Sequence, residues 1–227
     1  MSNIINAKKP IPLQVHSAPD SGFNGVATFY DPLARLVYGP ALQHAQRWLL
    51  PYIPDGATIL IIGGGSGWLL QQVLLQRSPA HVLYLEASEK MLTLAQKLNQ
   101  QQTIVEYQLG TDADLQPHQQ FDVIITPFIL DLFPDERLTQ LMHRLYSALA
   151  RDGLWLFADF WPVQQQPLVW QKLLAKSMYL FFGILSDVKA RQLPDYGAHF
   201  KALGLKEQQS AAFYKGFVQA KVFRKSV

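Results

Sequence analysis

The sequence contains no cysteine, which excludes a disulfide framework, a thiolate zinc site and a cysteine nucleophile together. Charge of one sign is also missing. The 20 Lys+Arg against 17 Asp+Glu leave +3, too small a balance to argue for nucleic acid despite a sequence pI near 9.0. No apolar run reaches membrane length. Met178 to Leu185 falls far short of the ~20 residues a span needs, so no stable membrane insertion is expected. The stretch Met1 to Pro10 is polar and holds no signal-peptide core, and a cytoplasmic protein is the expectation. Internal repeats and low-complexity tracts are absent. What is plentiful is apolar: 49% of the 227 residues are hydrophobic and 12% aromatic. That share excludes a disordered or collagen-like chain and fills the core of one domain with a decoration.

Residues 1 to about 25 mix prolines and glycines with polar residues and read as an irregular arm. A helical pattern over Tyr30–Leu50, broken by Gly39-Pro40, predicts two helices. From there the period alternates between two and 3.6. Strands are expected at Thr58–Ile62, His81–Leu85, Ile104–Gln108, Phe121–Thr126 and Leu154–Phe157. Helices are expected between them. One starts at Ser66, and a second is capped by Ser88 with Met91, Leu94, Ala95 and Leu98 on one face. A third is opened by Pro134, Asp135 and Glu136, with Leu138, Leu141, Met142, Leu145 and Leu149 buried. Such alternation means βαβ units and a doubly wound, mostly parallel sheet. Glu207–Phe213 and Phe217–Phe223, joined by Lys215-Gly216, predict an antiparallel hairpin at its end. The basic cluster Lys215, Lys221, Arg224 and Lys225 reads as a solvated edge strand. Two domains of organisation follow: an arm with helices over 1–56, and an α/β domain over 57–227 with a helical insertion at about 163–200.

The segment Ile59 to Leu69 places Gly63, Gly64, Gly65 and Gly67 where the first strand meets the first helix. A nucleotide can lie over the strand ends there, and glycine lets the backbone approach it. A dinucleotide fingerprint fails because its third glycine falls on Trp68, and a phosphate-cradling loop fails because no Gly-Lys-Ser/Thr follows. Glu86 ends the second strand, 19 positions past Gly67. A carboxylate at that tip can accept hydrogen bonds from both ribose hydroxyls of an adenosine.

In Ile59–Gly67, Tyr84–Met91 and Phe121–Thr126 the sequence resembles the class I S-adenosylmethionine-dependent methyltransferases, small-molecule type. The resemblance covers roughly Ala57 to Phe160 and then the terminal hairpin. It implies a seven-stranded sheet in the order 3-2-1-4-5-7-6, with S-adenosyl-L-methionine across the tips of strands one, two and four. By the same resemblance Gly63, Gly64, Gly65 and Gly67 line the methionine and ribose, Glu86 holds the ribose, and Ala87 and Met91 flank the adenine. Asp112 and Ala113 meet its amino group, and Thr126 faces the methionine tail. Tyr30, in a Tyr-Asp pair similar to that of quinone-type methyltransferases, covers the cofactor. One departure is Ile61, where the family usually carries an acid for the cofactor's ammonium group. The loop is also similar to that of aminopropyltransferases, but Thr126-Pro127-Phe128 stands where those enzymes show an acidic pair. A catalytically silent nucleoside-binding or interaction module is the alternative of a different class.

An oxygen or nitrogen nucleophile needs a base, and no residue declares itself as one. Asp131, Asp159 and His199 are the candidates, and no metal is expected. The expected acceptor is a small, apolar or aromatic molecule. That expectation comes from the wide apolar stripe Trp170, Leu174, Met178, Phe181, Phe182 and Leu185, which reads first as core packed against the sheet and could also roof a greasy pocket. A homodimer is left open.

Overall fold

The computed structural model describes residues 40–98, 104–161 and 193–226. Helix α1 (Ala41–Leu49) precedes β1 (Thr58–Ile62), α2 (Trp68–Gln76), β2 (His81–Glu86), α3 (Glu89–Leu98) and β3 (Val105–Leu109). Then come β4 (Phe121–Pro127), α4 (Asp135–Ala148), β5 (Leu149–Phe160), α5 (Tyr196–Ala202), β6 (Leu205–Phe213) and β7 (Val218–Lys225). The seven strands form one sheet in the order β3-β2-β1-β4-β5-β7-β6. The first five are parallel, and β7 runs antiparallel to both β5 and β6. Fold class and strand order are those expected.

The core lies in two layers. Ile59 and Ile61 of β1 point to one face, against Leu42, Ala45 and Leu49 of α1, Leu69, Leu70 and Val73 of α2, and Ala95 of α3. Leu60 and Ile62 point to the other, against Leu138, Leu141, Met142 and Leu145 of α4 and Phe200 of α5. A strand buried on both faces must be apolar throughout, which is why β1 reads as an unbroken run of β-branched and leucine residues. Each fully buried leucine in these layers contributes about 1.5–3 kcal/mol. Pro134 sits extended ahead of α4, with Asp135 and Glu136 in its first turn, where negative charge complements the helix dipole.

Several details differ from the reading of the sequence. In α3 the buried side chains are Met91, Leu92 and Ala95, while Leu94 and Leu98 are exposed, because the helix is tilted one residue round. Leu149 belongs to β5, which begins earlier than its apolar run and passes through Arg151-Asp152-Gly153. The basic cluster does not form an edge. Strand β7 is interior, Lys221 is buried and bonded to Glu207 Oε2 at 2.8 Å, and Lys225 Nζ donates to the carbonyls of Tyr146 and Leu149. The edge is β6, whose polar residues discourage further pairing. Helix α5, which the reading of the sequence does not single out, leads into the hairpin. The first predicted helix, Tyr30 and the stripe Trp170–Leu185 fall outside the described residues.

Candidate functional site

The carboxyl ends of β1, β2, β4 and β5 gather at one edge of the sheet. There the chain leaves β1 through glycines whose conformation no other residue adopts without strain: Gly63, Gly65 and Gly67 have φ of 66°, 64° and 89°. Gly64 is needed for space, since a Cβ on it would lie 2.6 Å from the Tyr84 ring. Tyr84, fully buried on β2, donates its hydroxyl to the Gly65 carbonyl at 2.8 Å and so props the loop from beneath.

Glu86 ends β2 beside this loop and is almost fully buried. Its Oε2 accepts the Gly65 N–H at 3.0 Å and its Oε1 the Ser88 N–H at 2.9 Å. Burial pushes its pKa up, opposed by the N–H groups that favour the charged form. Ser88 Oγ in turn accepts the Met91 N–H at 3.3 Å, which starts α3 directly after the carboxylate. Loop and acid are thus one hydrogen-bonded unit. Ala87 is half-buried beside it and Met91 is buried in the first turn of α3.

After β3 the chain makes a short turn, Asp112–Asp114, capped by Thr111. Asp112 is buried, yet its carboxylate turns to α4: Arg137 bonds both its oxygens, and Arg144 Nη1 reaches Oδ2 at 2.9 Å. Ala113 is exposed. Thr126 is fully buried, and its hydroxyl accepts the Trp155 indole N–H at 3.0 Å. His199 lies on α5, its Nε2 2.8 Å from Asp135 Oδ1 at the head of α4.

The structure brings together two acids that the sequence presents singly. Phe128, after β4, is held at φ 54°, a strained conformation for an aromatic residue, and donates its N–H to the Ala158 carbonyl at 2.7 Å. That bend lays the turn Leu130–Leu132 against the end of β5. Asp159 Oδ2 accepts the Leu130 N–H at 3.1 Å, Oδ1 accepts the Phe160 N–H at 2.8 Å, and the side chains of Asp131 and Asp159 are hydrogen-bonded to each other. Both are buried. Burial raises the Asp131 pKa to about 7, and burial together with the Asp131 charge holds that of Asp159 well above the carboxylate range. The turn also meets the glycine loop, because Ile129 Cδ1 occupies the space that a Cβ on Gly63 would need.

Among the described residues no group of three or more His, Asp or Glu is arranged to hold a metal ion. No helix among them is long and apolar enough to cross a membrane.

Residues 59–153 match the methyltransferase domain family. No curated protein matches the chain in sequence. Solved structures match it in fold. One is a chain of the Haloferax volcanii complex between the Trm112 methyltransferase activator and a methyltransferase, 14% identical with a TM-score of 0.70, covering 93% of this chain and all of that one. The N-methyltransferase NodS of Bradyrhizobium japonicum, in complex with S-adenosylhomocysteine, is 11% identical with a TM-score of 0.68, covering 91% and 99% of the two chains. The Burkholderia thailandensis 1,6-didemethyltoxoflavin N1-methyltransferase is 16% identical with a TM-score of 0.66, covering 97% and 94%.

Proposed function

We propose that this chain, a Rossmann-like class I methyltransferase that uses S-adenosylmethionine, passes the methyl group to a small apolar or aromatic acceptor. The observation that carries the reading is the joined loop and acid at the tips of β1 and β2. The loop's backbone is bent by three left-handed glycines and bonded through Gly65 to a buried carboxylate. Such an arrangement fits an adenosyl group. Glu86 keeps lone pairs beyond those taken by the backbone, and two vicinal ribose hydroxyls are donors that can fill them. Gly63, Gly64, Gly65 and Gly67 then lie against the ribose and methionine, with Ala87 and Met91 beside the adenine. Asp112 supports this region from behind through its arginines, and Ala113 is the exposed member of that pair.

When bound, the cofactor supplies a methyl group already activated by its sulfonium. The chain's residues have only to align the nucleophile, exclude water and take a proton. On this reading Asp131 and Asp159, at the ends of β4 and β5 and next to the glycine loop, do the last. His199 is the weaker candidate, since its ring is engaged by Asp135. Two things support an apolar, aromatic acceptor. The end of β5 is lined by Phe128, Phe160, Phe217, Trp161 and Tyr196, and the Burkholderia thailandensis structure of similar fold is a 1,6-didemethyltoxoflavin N1-methyltransferase.

Calorimetry with S-adenosylhomocysteine tests the cofactor, and labelled methyl transfer onto panels of quinones, phenols, fatty acids and amines tests the acceptor. Binding of the nucleoside with transfer to an aromatic panel is expected. Transfer only to long fatty acids would overturn the acceptor class, and no binding at all would overturn the site.

A further inference from the structure

Four buried acids stand at the carboxyl edge of the sheet, and their surroundings differ. Glu86 is satisfied by backbone N–H groups, and Asp112 is neutralised by two arginines. Asp159 accepts the N–H groups of Leu130 and Phe160, but among the described residues no arginine meets either it or Asp131. No ion pair among the described residues reaches either of them, and Asp131 Oδ1 is buried with no hydrogen-bond partner. Lys221, the cation that β7 brings to this face, is taken by Glu207 and lies over the Trp161 ring.

We propose that Asp131 and Asp159 together form a site for an alkylammonium group, met by the unpartnered Oδ1 of Asp131. Two carboxyl groups in contact cannot both ionise cheaply, so the pair carries at most one negative charge, in keeping with the raised titration of both. A buried charge of −1 without a partner is costly, and a bound cation removes the cost. An alkylammonium suits the place better than a metal ion, because only one free oxygen is offered and aromatic rings adjoin it. Phe157 and Trp161 flank Asp159 along β5, and Tyr196 packs on both. Because the turn carrying Asp131 packs on Gly63, the site adjoins the place where the proposed function puts the methionine portion of the cofactor, and the inference rests on that reading.

The ammonium has two sources, the cofactor's own amino group or an amine acceptor, and one set of titrations separates them. Calorimetry would compare S-adenosylhomocysteine, S-adenosyl-3-thiopropylamine and 5′-methylthioadenosine, of which only the last lacks an ammonium. If the cofactor is the source, the first two bind the wild type about tenfold or more tighter than the third. D131N closes that gap and leaves 5′-methylthioadenosine unchanged. If the acceptor is the source, the gap survives, but thermal shifts by benzylamine over benzyl alcohol, measured with S-adenosylhomocysteine present, are lost in D131N. D159N carries the same test should D131N fail to fold. The inference is overturned if neither variant narrows the gap or abolishes the amine preference, or if 5′-methylthioadenosine weakens in step with the others. A wild type silent to all three nucleosides would overturn the cofactor reading as well, a result distinct from an unaltered D131N.

Discussion

At the scale of single residues, Glu86 and Tyr84 divide the work of the glycine loop. Glu86 holds the Gly65 N–H from the tip of β2, while Tyr84 holds the carbonyl of the same residue from the core. Their substitutions should therefore separate. Glu86→Ala is expected to weaken S-adenosylhomocysteine binding by on the order of 1–3 kcal/mol, the cost of leaving charged hydrogen bonds unmade. Calorimetry at constant pH measures it, and unchanged affinity would remove Glu86 from the site. Tyr84→Phe leaves a packed carbonyl unpaired and should lower unfolding stability by roughly 1–3 kcal/mol in urea titrations, with or without ligand. Both residues sit on a strand that the sequence discloses by its apolar run, and Glu86 is legible as the acid at its tip. The support from Tyr84 is not. An apolar run shows that a tyrosine is buried, but its hydroxyl finds Gly65 only once the loop has folded back over β2.

Among the elements, α4 does more than cover the sheet. Its buried face was legible from spacing, because leucines at helical intervals have a single side to hide. Its exposed face carries Arg137 and Arg144, which look like solvated charges in the sequence and yet close on Asp112, 25 and 32 residues earlier. They tie the turn after β3 to a helix that follows β4, so the adenine end of the proposed site is braced from outside it. The two sides of this cluster differ in exposure: Asp112 is 1% exposed against 22% and 49% for the arginines. Asp112→Ala frees two side chains that can turn to water, and should cost about 1–2 kcal/mol. Replacing both arginines by alanine strands a buried carboxylate, and should cost about 3–5 kcal/mol. Urea titrations of the two variants check the order; a costlier Asp112→Ala would mean that the arginines do not reach water on release.

For the whole molecule, the sheet register is what converts two ordinary aspartates into a pair. Strands β4 and β5 are neighbours with Pro127 opposite Ala158, so the turn after one and the last residues of the other coincide in space. The strand order was legible from the alternation of periods, since parallel units cross over with one hand. The register was not, because it depends on the bulge near Phe121–Val123 and on the left-handed bend at Phe128. The consequence reaches global stability. In the unfolded chain both carboxyls titrate near the ordinary 3.9, whereas in the fold Asp131 rises to about 7 and Asp159 too is raised well above its ordinary value. Between those values the folded state binds more protons than the unfolded one, so stability is full below the unfolded pKa and drains away as pH climbs through the folded one. Glu86, also raised, adds in the same direction. The melting temperature of the ligand-free protein should accordingly fall from pH 5 to pH 8, and D131N should flatten the slope by removing one titrating member. A wild-type melting curve that rises over this range, or a D131N slope equal to the wild type's, would mean that the two carboxyls titrate as independent, solvated groups.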